Sequence, residues 1–335
     1  MNRIRLACVG CGNMASEHQR HFNHIPDIEL VAVCDLDEKK ARLNEQKFGA
    51  KNFYTDYRQM LDREKLDAVV VCGHPVTMHR DIGIEVLDRG LHMFVEKPVG
   101  HTAADCRAVR NAAKKNNRLV MVGTMWRHQE VTRRARKLME RQDFGVPNLF
   151  HVGYYAPTPR GSLDKARALM LDQGVHPLDC SLYLLGPIKT VTARASTTGT
   201  ESLTINAQLE FTSGLVGSYQ LSNIGPTLKQ DIVLGGDQRG RIHISQMSRL
   251  EYYHEKPWEG AGIYSDEAHE VWECRYRHRG HNIEGHADEW PYFIACLQKN
   301  EQPHASLDDH LLVMSTMEAI LASLESGKNI AVEND

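Results

Sequence analysis

Val9-Gly10-Cys11-Gly12-Asn13-Met14-Ala15 follows directly on Ile4-Arg5-Leu6-Ala7-Cys8-Val9, a short apolar run of strand type. Gly10 lets the chain turn sharply after that strand. Gly12 removes a side chain where backbone must approach a pyrophosphate, and Ala15 keeps the next helix close to the sheet. That helix, about Asn13 to Asn23, begins with Asn13 and Met14 and points its first amides at phosphate oxygens. Glu29-Leu30-Val31-Ala32-Val33-Cys34 reads as the second strand, closed by Asp35. An acid at that place can accept both ribose hydroxyls of an adenosine. A carboxylate after a strand can also be plain surface; the glycine loop upstream selects the ribose. Leu36 and Asp37 follow, with Lys39 and Lys40 a helical turn away, so a 2′-phosphate would face uncompensated negative charge. The reading is NAD rather than NADP.

Strand and helix keep alternating up to residue 122. In Leu66-Asp67-Ala68-Val69-Val70-Val71-Cys72 every residue after Asp67 is apolar, as a strand buried on both faces must be. Thr77 to Arg89 reads as a helix stopped by Gly90, His92-Met93-Phe94-Val95 as a strand, and Leu119-Val120-Met121-Val122-Gly123 as another. Thr102-Ala103-Ala104-Asp105 resembles a capping box, with Asp in place of Glu. The fold class is α/β, with a doubly wound parallel sheet over 1–122 as the NAD-binding domain. From Phe150 onward strands come in series, with period-two alternation, and two helices, Asp288 to Lys299 and Leu307 to Ser326, end the chain. Residues 123–335 form the expected second domain, for substrate and oligomer contacts.

The 335 residues carry a net charge of −3 and 41% apolar residues. That balance argues against nucleic-acid or membrane partners. The first residues lead straight into a strand, without a leader pattern, and the eight cysteines are scattered, mostly in apolar strands. Reduced thiols and a cytoplasmic enzyme are expected. Cys274, His278, His281 and His286 crowd together, but the spacing fits no standard zinc pattern. No metal is expected, and the stretch around His286 is assigned to the substrate pocket instead.

Val95-Glu96-Lys97-Pro98 closes the fifth expected strand. Proline biases Lys97 to an extended conformation, and ligands of open α/β sheets bind beyond strand carboxyl ends. Leu171-Asp172-Gln173-Gly174-Val175-His176-Pro177-Leu178-Asp179 supplies an imidazole suited to take a proton near neutral pH. By spacing alone His176 fits equally a catalytic base and a cap for a helix from Pro177 to Leu185. Asp172 can orient that imidazole, bind a second hydroxyl or cap a helix. Trp126, Arg127, Tyr154, Tyr155 and Arg160 are candidate pocket walls, aromatic faces mixed with polar groups.

Taken together, the glycine loop, the run from Pro75 and His79 to Gly90, Glu96-Lys97-Pro98, and Asp172 with His176 and Asp179 resemble the Gfo/Idh/MocA oxidoreductases over nearly the whole chain. The resemblance implies a Rossmann domain, then an α/β domain with a large, open, mostly antiparallel sheet that often joins dimers or tetramers. It implies oxidation of a ring hydroxyl of a sugar or cyclitol, with Lys97 and His176 acting at that hydroxyl and Asp172 in support. It extends the cofactor contacts from Gly10, Gly12, Asn13, Met14 and Asp35 to His74, Pro75, His79, Glu96, Lys97 and Arg127. The substrate set becomes Lys97, Trp126, Tyr155, Arg160, Asp172 and His176. Two alternatives stand beside it: a redox-assisted glycoside-cleaving enzyme that retains NAD, and an NAD-binding regulatory protein without turnover.

Overall fold

The six strands β1 (Ile4–Val9), β2 (Ile28–Cys34), β3 (Asn52–Tyr54), β4 (Ala68–Val71), β5 (His92–Val95) and β6 (Val120–Val122) form one sheet in the order β3-β2-β1-β4-β5-β6. Every pairing in it is parallel. The structure is a computed structural model describing residues 3–73, 75–157, 165–199, 202–254, 270–274 and 285–333, so His74, Arg160, His278 and His281 lie outside the described residues. Ala68–Val71 is buried at all four positions, as the apolar run predicts for a strand covered on both sides. The strand order turns between β1 and β4, which opens a crevice beyond their carboxyl ends.

Local chemistry sets the helix ends. The Asp37 side chain accepts from the Lys39 amide at the start of Glu38–Phe48, and Gly49 ends that helix in the left-handed region, φ 74°. Thr102 and Asp105 close a reciprocal capping box before Ala103–Asn116, so Asp performs the role usually given to Glu.

The chain divides into two units, Met1–Met125 with Gly285–Leu311, and Trp126–Glu284 with Leu312–Asp335. The helix His286–Lys299, assigned from the sequence to the second domain, therefore belongs to the first unit. Its Trp290, Phe293 and Ile294 enter one core with Leu6, Cys8, Val33, Phe94 and Met121. An amphipathic helix announces that it covers a sheet but not which sheet, so a single cut at 122/123 does not describe the division.

In the second unit nine strands pair in the order β14-β13-β12-β11-β7-β10-β9-β8-β15. They run β7 (Pro147–Tyr155), β8 (Ile188–Thr198), β9 (Ser202–Phe211), β10 (Val216–Ser222), β11 (Lys229–Gly236), β12 (Arg241–Ser245), β13 (Arg249–Tyr253), β14 (Glu270–Glu273) and β15 (Ile330–Ala331). Among the described residues only β7 and β10 pair in parallel; the other pairings are antiparallel. Burial alternates along these strands, with Ile242 and Ile244 inside and His243 half-buried between them. One face is packed and the other wetter, as the period of two requires. Among the described residues no helix is long and apolar enough to cross a membrane.

Candidate active site

The carboxyl edge of the parallel sheet carries the expected cofactor residues. Gly10 has φ 100°, and a Cβ there would stand 1.7 Å from the Cys72 carbonyl oxygen. Only glycine can turn in that place. A Cβ on Gly12, by contrast, would meet no protein atom within 4 Å. Nothing in the protein's own packing asks for glycine at position 12, whereas a pyrophosphate laid on the loop would. The helix Asn13–Phe22 begins there without a side-chain cap, leaving its first amides to an anion. Asp35 Oδ2 accepts from the Cys11 amide at 2.8 Å and Oδ1 from the Asp37 amide at 2.9 Å. Each oxygen keeps a further lone pair for a ribose hydroxyl, so the loop and Asp35 fit a dinucleotide. Burial, then the Asp35 charge, pushes the Cys11 thiol up to about 12, away from the reactive thiolate.

Glu96 and Lys97 follow β5 on the same edge, and the Lys97–Pro98 peptide is cis. Glu96 is buried and faces a bare Gly123, where a Cβ would come within 2.9 Å of Oε1. Its Oε1 lies 2.7 Å from His18 Nε2, and its Oε2 accepts from the Lys97 amide at 3.1 Å. Burial pushes this carboxyl up, but the His18 hydrogen bond and the nearby Lys97 charge outweigh it and hold the group down at about 2. His79, also buried, accepts at Nε2 from the Gly73 amide at 3.2 Å and donates from Nδ1 to the Pro98 carbonyl at 2.9 Å. Its tautomer is thereby set, and the ring ties the turn after β4 to the turn carrying Lys97.

In the second unit, the helical run from Ala166 to Leu185 includes a π-turn at Met170–Gly174. The helix starts eleven residues before Pro177, not at it. Pro177 has no N–H for the Gln173 carbonyl, and a wider turn accommodates its ring. Asp172 sits on that turn and is exposed; His176 opens the next helix and is buried. The His176 ring stacks on Trp126, with centroids 6.0 Å apart and 18° between planes. Trp126 meets Tyr154 at 5.7 Å. Alternation along β7 carries Tyr155 to the opposite face, where its hydroxyl donates to Gln220 Oε1 at 2.7 Å. The structure thus puts Tyr154, not Tyr155, beside Trp126, the ring on which His176 stacks.

Arg127, expected at the cofactor, binds Asp179 with Nε and Nη2, both at 2.7 Å. Both residues are about 1% exposed. This fork joins the turn that carries Trp126 to the helix that carries His176. Sequence reasoning passed over His18, Glu289 and Trp290. His18 is three residues after Ala15 on the buried face of its helix, a signal that a packed histidine gives equally well.

Residues 4–124 match the family model described as "Oxidoreductase family, NAD-binding Rossmann fold", and residues 132–248 match "GFO/IDH/MocA C-terminal domain". The chain belongs to the GFO/IDH/MocA oxidoreductase family. Its first domain is the NAD-binding Rossmann domain of that family. This GFO/IDH/MocA chain is 24% identical to D-apiose dehydrogenase of Paraburkholderia graminis, over 100% of itself and 91% of the relative. It is 24% identical to myo-inositol 2-dehydrogenase of Thermotoga maritima, over 98% of itself and 99% of the relative. A levoglucosan dehydrogenase solved with NADH shares its fold at a TM-score of 0.87 and 19% identity, covering 100% of both chains.

Proposed function

We propose that this oxidoreductase uses NAD to oxidise a ring hydroxyl of a sugar, glycoside or inositol to the ketone, reversibly. The observation that carries the reading is the placement of Lys97, one residue past the buried Glu96, on the edge that holds the glycine loop and Asp35. Bound NAD supplies the hydride acceptor. The Lys97 ammonium holds the substrate oxygen and favours its alkoxide character. His176 takes the hydroxyl proton, and Asp172, four residues earlier, orients the imidazole or binds a second hydroxyl. Trp126 and Tyr154 offer the aromatic surface. The names of the D-apiose and myo-inositol relatives support the substrate class. Eight free cysteines support a cytoplasmic location. Leu149 and Val216, 48% and 49% exposed on the outer face of the nine-stranded sheet, support a homo-oligomer.

Mixing protein, NAD and a panel of sugars and inositols, while following absorbance of the reduced cofactor, tests the reading. Lys97→Ala and His176→Ala should each lower turnover at least about a hundredfold. A near wild-type rate in either variant removes that residue from its role.

A further inference from the structure

Behind the Lys97 turn lie four buried side chains that the reaction scheme does not use: His18, His286, Glu289 and Trp290. Trp290 Nε1 lies 3.1 Å from His18 Nδ1. An indole N–H can only donate, so His18 Nδ1 accepts and the ring proton sits on Nε2. That proton is donated to Glu96 Oε1 over 2.7 Å, and the other Glu96 oxygen takes the Lys97 amide. The donations therefore converge on Glu96, from the indole through the imidazole on one side and from the Lys97 amide on the other. The indole has no room to turn away, since its ring lies 4.5 Å from both Phe22 and Phe94.

Glu289 Oε1 lies 3.3 Å from the same His18 Nδ1 and 3.2 Å from His286 Nδ1. Two imidazoles and a carboxylate make a donor set for a cation. The Trp290 N–H, however, already occupies the His18 lone pair that such an ion would need. That bond fixes the His18 tautomer, and Glu289 Oε1 then takes its proton from His286 Nδ1 rather than from His18.

We propose that His18 is a positioning residue, which sets the Lys97 turn for reaction through Glu96. The inference rests on the reading of Lys97 given above. Displacing a reacting group by about 1 Å can cost roughly a hundredfold in rate, so a lock on the turn has kinetic weight.

Two variants of similar size separate this role from simple packing. In His18→Gln the amide nitrogen takes the place of Nε2 and can still donate to Glu96; in His18→Asn it takes the place of Nδ1 and cannot. The Asn variant should lose at least about tenfold in kcat, with KM and NADH affinity within about threefold, and the Gln variant should recover most of the loss. Amide exchange at Lys97 should quicken about tenfold or more in the Asn variant only. If the Asn variant does not fold, Glu96→Gln probes the same link, because one amide cannot accept from both His18 and Lys97; the Lys97 amide should again exchange faster. A folded Asn variant with wild-type kcat and exchange overturns the proposal, as does a Gln variant equally impaired. Lys97→Ala in the same assay keeps the two ideas apart. Full activity there removes the reading of Lys97 and this inference with it. An inactive Lys97→Ala beside a normal Asn variant removes this inference alone.

Discussion

In the first unit Lys97 stands on a turn fixed by strand ends, a buried carboxylate and two histidines. In the second, His176 stands on a helix fastened to the Trp126 turn by the Arg127–Asp179 fork. The first arrangement spreads its hold over several backbone bonds. The second concentrates it in one buried ion pair, which is harder to lose gradually. A buried pair is costly to break because the survivor keeps an uncompensated charge.

Arg127→Ala should therefore cost about 3–5 kcal/mol of stability, read by urea unfolding. Replacing both partners, Arg127→Met with Asp179→Leu, should recover most of it. A single variant that loses under about 1 kcal/mol would erase the contrast between the two units.

Acid should strike the first unit more gradually. Glu96 is held at about 2, against an ordinary value of 4.5. Its contribution to stability is complete above the ordinary value and is lost as pH falls from about 5 toward about 2. Linkage puts the loss at roughly 3 kcal/mol. His21 acts earlier: burial above all, with the neighbouring His286, brings it down to about 4 from 6.5. The unfolded chain takes up that proton first, so stability falls from about pH 6.5 and levels off near 4. Melting temperature followed across pH 2–7 should show both windows, and Glu96→Gln should flatten only the lower one. A melting temperature that stays constant below pH 5 would show that Glu96 is not held as described.

The smallest effect concerns the outer rim of the first unit. Asp35→Ala should narrow the preference for NAD over NADP by about tenfold, through weaker NAD and admitted NADP. Titration with both cofactors reads it. Unchanged discrimination would mean that another residue reads the ribose.

The parallel sheet was legible because its signals are local. Gly10, the apolar run at Val69-Val70-Val71 and the Thr102–Asp105 box each state their geometry within a few residues. The antiparallel sheet shows in the sequence as alternation after Phe150, but nothing in that pattern marks the order in which its strands pair. What stayed hidden depends on contacts distant in sequence. Arg127 and Asp179 are 52 residues apart, and His18 and Trp290 are 272 apart. No period or spacing announces such pairs. Tyr154 and Tyr155 show a finer limit: adjacent residues on a strand face opposite ways, and only the register of β7 decides which one meets Trp126.

The split of the chain between the units has a consequence for synthesis. The core around Leu6, Val33 and Phe94 lacks Trp290 and Phe293 until the segment Gly285–Leu311 leaves the ribosome. At about 5–20 residues per second, residues 126–284 take roughly 10–30 s to emerge. Throughout that interval the sheet made first has a face without its helix, while the second sheet in turn awaits β15 from the last residues. Neither half can be expressed by cutting the chain once. A chain interrupted before residue 285 would expose the apolar face that the returning helix covers, making the unfinished polypeptide a client for chaperones.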